Sequence, residues 1–136
     1  MTEAIVSGAL EPIYAPWETP DKHRVKGGEV RTGRRPSPAI VAQSLRSQVQ
    51  QWREGVAGAG RYAGVSGTTR ELLDHWFLDE HLVRRSDGSR SEFRYHFCQR
   101  EAIETIIYLF ELRRIRRLGP LFYEFGGDFG EMAALG

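Results

Sequence analysis

The sequence is poor in cysteine and in long apolar runs. Its single cysteine, Cys98, excludes an internal disulfide and is typical of a reducing cytoplasm. No run approaches the roughly 20 consecutive apolar residues that span a bilayer. The first residues also lack the basic start and apolar stretch of a secretory signal. We therefore predict a cytoplasmic protein with no membrane partner.

Several motifs that would identify an enzyme are missing. The glycine-rich stretch 55–60 is followed by Arg61 instead of the lysine and hydroxyl residue of a phosphate-binding loop. The segment 64–67 is not followed by the second glycine of a nucleophile elbow. His75 and His81 are six residues apart, which is not a recurrent spacing of metal ligands. We predict no catalytic residue and no metal site in this sequence.

What the sequence does contain is a folded domain with a local excess of positive charge. Its 136 residues are 40% hydrophobic and 27% charged, which is typical of one globular domain. The segment Lys22–Arg35 holds six basic residues against one acidic residue, Glu29. Such clusters favour contact with nucleic-acid phosphates, and we name Lys26, Arg34 and Arg35 as candidates. The alternative is a solvated arm, or one that pairs with an acidic surface elsewhere.

The first half of the chain predicts an arm and two helices. Four of the six prolines lie in residues 1–36, which we expect to be an extended arm without regular structure. Ser37-Pro38 predicts the cap and first residue of a helix that Gly55 ends. The apolar face of this helix comprises Val41, Leu45, Val49 and Trp52. A capping box at Thr68–Glu71 predicts the second helix.

The second half predicts a hairpin and a third helix. Asp87-Gly88 stands between two stretches of β-forming residues and predicts a β-hairpin. From about Gln99 to Leu118 the apolar residues cover more than one face, so we predict a long, largely buried helix. The chain is thus expected to be a mainly helical α+β fragment with three helices. After the arm come a helical region with the hairpin, 37–125, and a truncated tail, 126–136.

A glutamine stands where an aromatic stretch leads into the third helix. The Gln99 amide presents a donor and an acceptor side by side, which complements the N6 and N7 atoms of adenine. Phe97 or Tyr95 would stack on the purine, and the helix N-terminus would favour the attached phosphates. The alternative is that Gln99 simply faces water in the first turn.

Two segments, the first of them in two parts, together resemble a known family. Residues 16–23 read P-W-E-T-P-D-K-H and residues 33–37 read G-R-R-P-S, similar to the N-terminal signature of helicase-type restriction subunits. Residues 97–105 read F-C-Q-R-E-A-I-E-T and resemble the Q motif of the same group. The family is that of DEAD/DEAH-box-like ATP-dependent helicases related to the restriction subunit of type III restriction enzymes. The resemblance covers about residues 14–125.

The resemblance implies that Gln99 contacts the adenine of ATP and that the chain is the leading part of a RecA-like α/β helicase domain. Family members couple ATP hydrolysis to movement on double-stranded DNA. They continue into a phosphate-binding loop, an acidic magnesium-binding motif and a second motor domain, none of which is in this sequence. We therefore expect a fragment that cannot hydrolyse ATP alone, with magnesium bound only through those further motifs. The expected partners are double-stranded DNA and the remainder of the motor, and the family leaves room for a methyltransferase subunit. The alternative is a stand-alone, non-catalytic helical module that binds DNA or a protein.

Overall fold

The chain folds as an α+β structure. A computed structural model describes residues 5–6, 15–56 and 58–126. Within these ranges the elements are β1 (Ile5–Val6), β2 (Lys22–Arg24), β3 (Val30–Thr32), α1 (Ile40–Glu54), α2 (Gly67–Phe77), β4 (His81–Arg84), β5 (Arg90–Phe93), α3 (Phe97–Ile107), a π-helical turn (Tyr108–Leu112) and α4 (Leu118–Phe125). Among these elements, no helix has both the length and the apolar character needed to cross a bilayer. The predicted tail 126–136 lies almost entirely outside the described residues.

The strands form two small antiparallel sheets, one in the order β1-β3-β2 and one made of β4 and β5. In the β4–β5 connection the Arg85 N–H donates to the Ser89 carbonyl at 2.7 Å, and the Gly88 N–H donates to the Arg85 carbonyl at 3.0 Å. The β2–β3 connection repeats both bonds, with Gly28 in the place of Gly88. Both glycines have positive φ, 92° and 85°, as this turn requires. The predicted hairpin is confirmed, whereas the expectation that residues 1–36 have no regular structure is wrong.

The helical core is built on the predicted face of α1. Val41, Val49 and Trp52 are buried, and Leu45 is packed against them. The helix begins at Ile40, two residues later than predicted, because the Ser37 hydroxyl accepts a hydrogen bond from Ala39 and holds that segment in a turn. α2 begins at Gly67 instead of following the predicted capping box, because Ser66 is its cap.

The predicted third helix is divided in two. α3 ends at Ile107, and after the π-helical turn the chain reverses at Arg114, whose φ is 54°. The Ile115 N–H donates to the Leu109 carbonyl at 2.9 Å, and the Ile115 side chain is buried. Pro120 lies in the first turn of α4, where a missing N–H costs little. The described residues thus hold four α-helices, and the prediction of three was wrong because the apolar period alone did not reveal this reversal.

One face of the predicted third helix stays in solvent. Ile106 is 61% exposed and Phe110 is 51% exposed, and we call these two side chains the exposed stripe. The opposite face is buried and includes Phe97, Glu104 and Tyr108. The expectation of a largely buried helix is therefore wrong for the exposed stripe.

Candidate functional site

The first turn of α3 holds the predicted adenine-reading glutamine. The Gln99 Oε1 atom accepts a hydrogen bond from the His96 backbone N–H at 2.9 Å. This bond satisfies a backbone donor just before the helix, which is the usual role of a glutamine at the third helical position. The Gln99 residue is exposed, and its Nε2 atom forms no hydrogen bond to any other described residue. One side of the amide is thus fixed by the backbone while the other faces solvent.

The two aromatic residues predicted to stack on the purine are occupied in other ways. Phe97 is 5% exposed, and the guanidinium carbons of Arg34 and Arg53 lie 5.0 and 4.9 Å from its ring centroid. Tyr95 is half-buried and packs edge-on against Phe93, the last residue of β5, with the ring centroids 5.1 Å apart. The structure therefore brings Phe97 to the same turn as Gln99 but leaves its ring no free face.

An exposed ring that was not among the predicted site residues lies close by. The Phe97 N–H donates to the Pro16 carbonyl at 2.7 Å, which places the following residue, Trp17, beside the start of α3. Trp17 is 37% exposed, and the Arg94 guanidinium carbon lies 5.2 Å from its ring centroid. Its membership of the P-W-E-T-P segment was the only signal in the sequence.

The second turn of α3 binds the basic segment through Glu101. The Arg34 Nη1 and Nη2 atoms donate to the two carboxylate oxygens of Glu101 at 2.8 and 2.6 Å. Arg53 of α1 adds a third bond at 3.2 Å. Burial alone would raise the pKa of Glu101, but the hydrogen bonds and charges of Arg34 and Arg53 outweigh it and lower the pKa. Glu101 therefore remains ionised and ties the basic segment to α1 and α3.

One turn further along α3, Glu104 is fully buried in the centre of the domain. Its Oε1 atom accepts from the Arg53 Nε atom at 2.7 Å, and its Oε2 atom accepts from Arg100 at 3.2 Å. The Tyr62 hydroxyl also donates to Oε2 in a short hydrogen bond. Burial, and then the bond to Glu104 and its negative charge, raise the pKa of Tyr62. Each carboxylate oxygen of Glu104 is thus hydrogen-bonded, as a buried charge requires.

The three predicted phosphate contacts are placed differently from one another. Lys26 lies exposed in the β2–β3 turn. Arg35 is exposed, and its Nη2 atom donates to the Arg24 carbonyl of β2 at 2.7 Å. The Arg34 guanidinium instead forms an ion pair with the Glu101 carboxylate. In the structure Arg34 therefore attaches the basic segment to α3. Local composition did not indicate this partner, which lies 67 residues further along the chain.

An open cavity of about 490 Å³ lies elsewhere, between the end of α1 and the π-helical turn. Trp52 and Tyr108 are in its lining, and the Tyr108 hydroxyl donates to Gln48 at 2.9 Å. Neither Gln99 nor the aromatic residues predicted beside it line this cavity. It is therefore separate from the predicted nucleotide site.

The two segments that carry the family resemblance meet in the fold. Residues 16–23 reach the segment 97–105 through the Pro16–Phe97 bond, and residues 33–37 reach it through the Arg34–Glu101 ion pair. In the described part of the chain, no three His, Cys, Asp or Glu side chains are placed to hold a metal ion. In the comparisons with known proteins, no family model, no curated protein and no solved structure matches this chain.

Proposed function

We propose that the chain is the N-terminal, adenine-recognising part of an ATP-dependent DNA helicase or translocase of the group related to the restriction subunit of type III restriction enzymes. The observation that supports this is the contact between the two resembling segments. Phe97 bonds to Pro16, and Glu101 bonds to Arg34 with two hydrogen bonds. Segments that serve one site are expected to meet in space, whereas unrelated chance resemblances are not.

In this proposal the Gln99 amide has two simultaneous tasks. Its Oε1 atom accepts from the His96 N–H, and a carbonyl oxygen has a second lone pair for the adenine N6 amino group. Its Nε2 atom donates to adenine N7. Because the helix cap already fixes the amide plane, little side-chain freedom is lost when the base binds. Trp17, at the start of the same helix, is the exposed ring available beside the base.

The proposed partners are the remainder of the motor and double-stranded DNA. The exposed stripe of Ile106 and Phe110 is the kind of apolar face that a further structural element covers. Lys26 and Arg35, which are exposed and form no ion pair with another described residue, are the proposed phosphate contacts of the N-terminal segment. In this arrangement Arg34 positions the segment against α3.

The test separates recognition of adenine from capping of the helix. In Gln99→Glu the carboxylate still accepts from the His96 N–H, but the donor to adenine N7 is lost. We expect this variant to melt at the temperature of the original chain and to lose its preference for ATP over GTP. Loss of one hydrogen bond corresponds to about a tenfold weaker affinity at most. Gln99→Ala is expected to lose both the preference and some helix stability.

The measurement is a nuclear magnetic resonance titration with ATP and with GTP, because it detects weak binding. The signal of the Gln99 side-chain amide is expected to shift with ATP and much less with GTP. The Glu54→Gln variant, which changes an exposed carboxylate on α1, is the matched control and is expected to behave like the original chain. If Gln99→Ala and the original chain discriminate equally between ATP and GTP, the adenine role is wrong.

A second candidate function is a stand-alone, non-catalytic module that binds DNA or a protein. The buried network around Glu104 favours it, because this network and the surrounding core give the described residues a stable centre of their own. The second candidate predicts a monomer that melts cooperatively, whereas the first predicts association through the exposed stripe. Sedimentation of the chain over a range of concentrations distinguishes the two.

A further inference from the structure

The tip of the β4–β5 hairpin carries three arginines in a small space. Arg84 and Arg90 are directly opposite each other in the strand register, and Arg85 follows in the turn. The only acid between them is Asp87, whose carboxylate accepts bonds from the Ser89 N–H at 2.9 Å and the Ser89 hydroxyl at 2.6 Å. Residues 84–90 therefore hold three positive charges against one negative charge that already serves the turn.

These three guanidinium groups have no compensating partner in the part of the chain that the structure describes. None of them forms a side-chain hydrogen bond, ion pair or ring contact there, and every residue from 82 to 90 is exposed. Arg94, near the base of the hairpin, differs because its guanidinium pairs with Glu92 at 2.8 Å. Like charges directly opposite each other destabilise an antiparallel pair. The Arg84–Arg90 pair is thus unfavourable for the isolated hairpin and favourable only if an anion binds it.

The base of the hairpin is held firmly while the tip is free. The rings of Phe93 and Phe77 lie 5.1 and 5.5 Å from the ring of Tyr95, which joins the hairpin to α2. On the other strand, the His81 ring is hydrogen-bonded to the His75 carbonyl of α2. The arginines are therefore presented on a supported ribbon that extends from the domain.

We propose that the tip of the β4–β5 hairpin binds the phosphate backbone of duplex DNA, with Arg84, Arg85 and Arg90 as the contacting residues. A two-stranded antiparallel ribbon fits the major groove, and the arginine fork pairs with phosphate through two hydrogen bonds. Arg84 and Arg90 lie on one face because they are directly opposite each other. The Arg85 N–H is still bonded across the hairpin to Ser89, so the alternation of side chains is expected to continue by one residue and to place Arg85 on the other face. Positive charges on both faces of the hairpin suit a ribbon that lies in a DNA groove, between the two phosphate backbones. A hairpin that lay flat on a membrane would use the charges of one face only.

The biological meaning of this hairpin surface rests on the proposed function. The hairpin adds to that function a DNA contact surface that the resemblance does not assign. The two can fail separately. Discrimination between nucleotides is tested at Gln99, whereas the hairpin is tested by binding of DNA without nucleotide.

The first test removes the three charges together. In the hairpin variant, alanine replaces Arg84, Arg85 and Arg90. In the control variant, alanine replaces three exposed arginines elsewhere, Arg61, Arg116 and Arg117, so that both variants lose three positive charges. Binding of a short fluorescent DNA duplex is measured by anisotropy over a range of salt concentrations. Each phosphate contact contributes about 0.9 to the slope of log affinity against log salt, so the hairpin variant is expected to lose about 2 to 3 from that slope. The control variant is expected to keep most of it.

The second test uses the single variant Arg84→Glu, which places opposite charges across the strand pair. We expect its melting temperature to rise and its affinity for the duplex to fall, whereas a residue that served only the fold would change both in the same direction. The proposal is overturned if Arg84→Glu binds DNA as well as the original chain. It is also overturned if the hairpin and control variants lose equal affinity, or if the original chain binds phosphatidylserine vesicles but not the duplex.

Discussion

Replacing Glu104 by glutamine is expected to destabilise the fold strongly. The Glu104 side chain is fully buried and accepts hydrogen bonds from Arg53, Arg100 and Tyr62. Glutamine has the same shape, so the substitution creates no cavity and removes only the negative charge and one acceptor. The nearly buried guanidinium of Arg53 would then keep a single carboxylate partner, Glu101, at 3.2 Å.

The magnitude follows from the loss of the closer of the two carboxylates that pair with Arg53. Removing one partner of a buried ion pair costs about 3–5 kcal/mol of the free energy of unfolding, out of about 5–15 kcal/mol for a whole domain. For a chain of this size the melting temperature should fall by roughly 10–20 °C. Tyr62→Phe removes one hydrogen bond to a charged group and should cost less, about 1.5–3 kcal/mol.

The assay is unfolding by denaturant and by heat, followed by circular dichroism. The control is Glu54→Gln, because Glu54 is exposed on α1 and its replacement should change the stability by no more than about 0.5 kcal/mol. In the double variant the effects of Tyr62→Phe and Glu104→Gln should deviate from additivity by about 0.5–3 kcal/mol, because the two groups share a hydrogen bond. A cost below about 1 kcal/mol for Glu104→Gln would refute the reasoning, since exposed ion pairs already contribute that much.

Three further results are expected. The folded pKa of Glu101 lies below its ordinary value of 4.5, so its contribution to stability is complete above pH 4.5 and is lost as the pH falls through the folded pKa. Glu101→Gln should reduce this acid dependence of the free energy of unfolding, measured with denaturant. An unchanged slope of that free energy against pH would contradict the prediction. The raised pKa of Tyr62 acts in the opposite direction, because the contribution of this hydroxyl to stability is complete below about pH 10 and is lost at higher pH. Tyr62→Phe should therefore flatten the alkaline part of the plot of unfolding free energy against pH. Replacing Ile106 and Phe110 by serine should abolish concentration-dependent association in sedimentation with little change in melting temperature; a chain that is already monomeric would contradict the role of the exposed stripe.

The parts of the fold that local signals determine could be predicted from the sequence. The buried face of α1 follows from apolar residues at helical spacing that ends at Gly55, and the structure has the same face. The β4–β5 turn follows from Asp87-Gly88, because the glycine alone adopts the required positive φ at no cost. Both features are determined by residues that are close together in the sequence, so they could be predicted without the rest of the chain.

The parts that depend on distant residues could not be predicted. The reversal at Arg114 is a left-handed conformation of an ordinary residue, and it is compensated by burial of Ile115 in a core assembled from several elements. Likewise, nothing near Arg34 in the sequence shows that Glu101 neutralises it. For the candidate site, the role of Gln99 stays a prediction, and no local signal indicated the burial of the Phe97 ring beneath two guanidinium groups. Local composition therefore shows where positive charge is concentrated, but not which of the side chains the fold pairs with a carboxylate.

The ion pair between Arg34 and Glu101 couples the basic segment to the start of α3, where Gln99 lies. A substitution at position 34 would spare every atom of Gln99 and still loosen the start of α3, because Glu101 lies in the turn that follows Gln99. The converse also holds, since loss of Glu101 would remove one contact that holds the basic segment against α3, while the β2–β3 pairing that positions Lys26 would remain. Any change in one of these two regions, through evolution or design, is thus constrained by a partner 67 residues away.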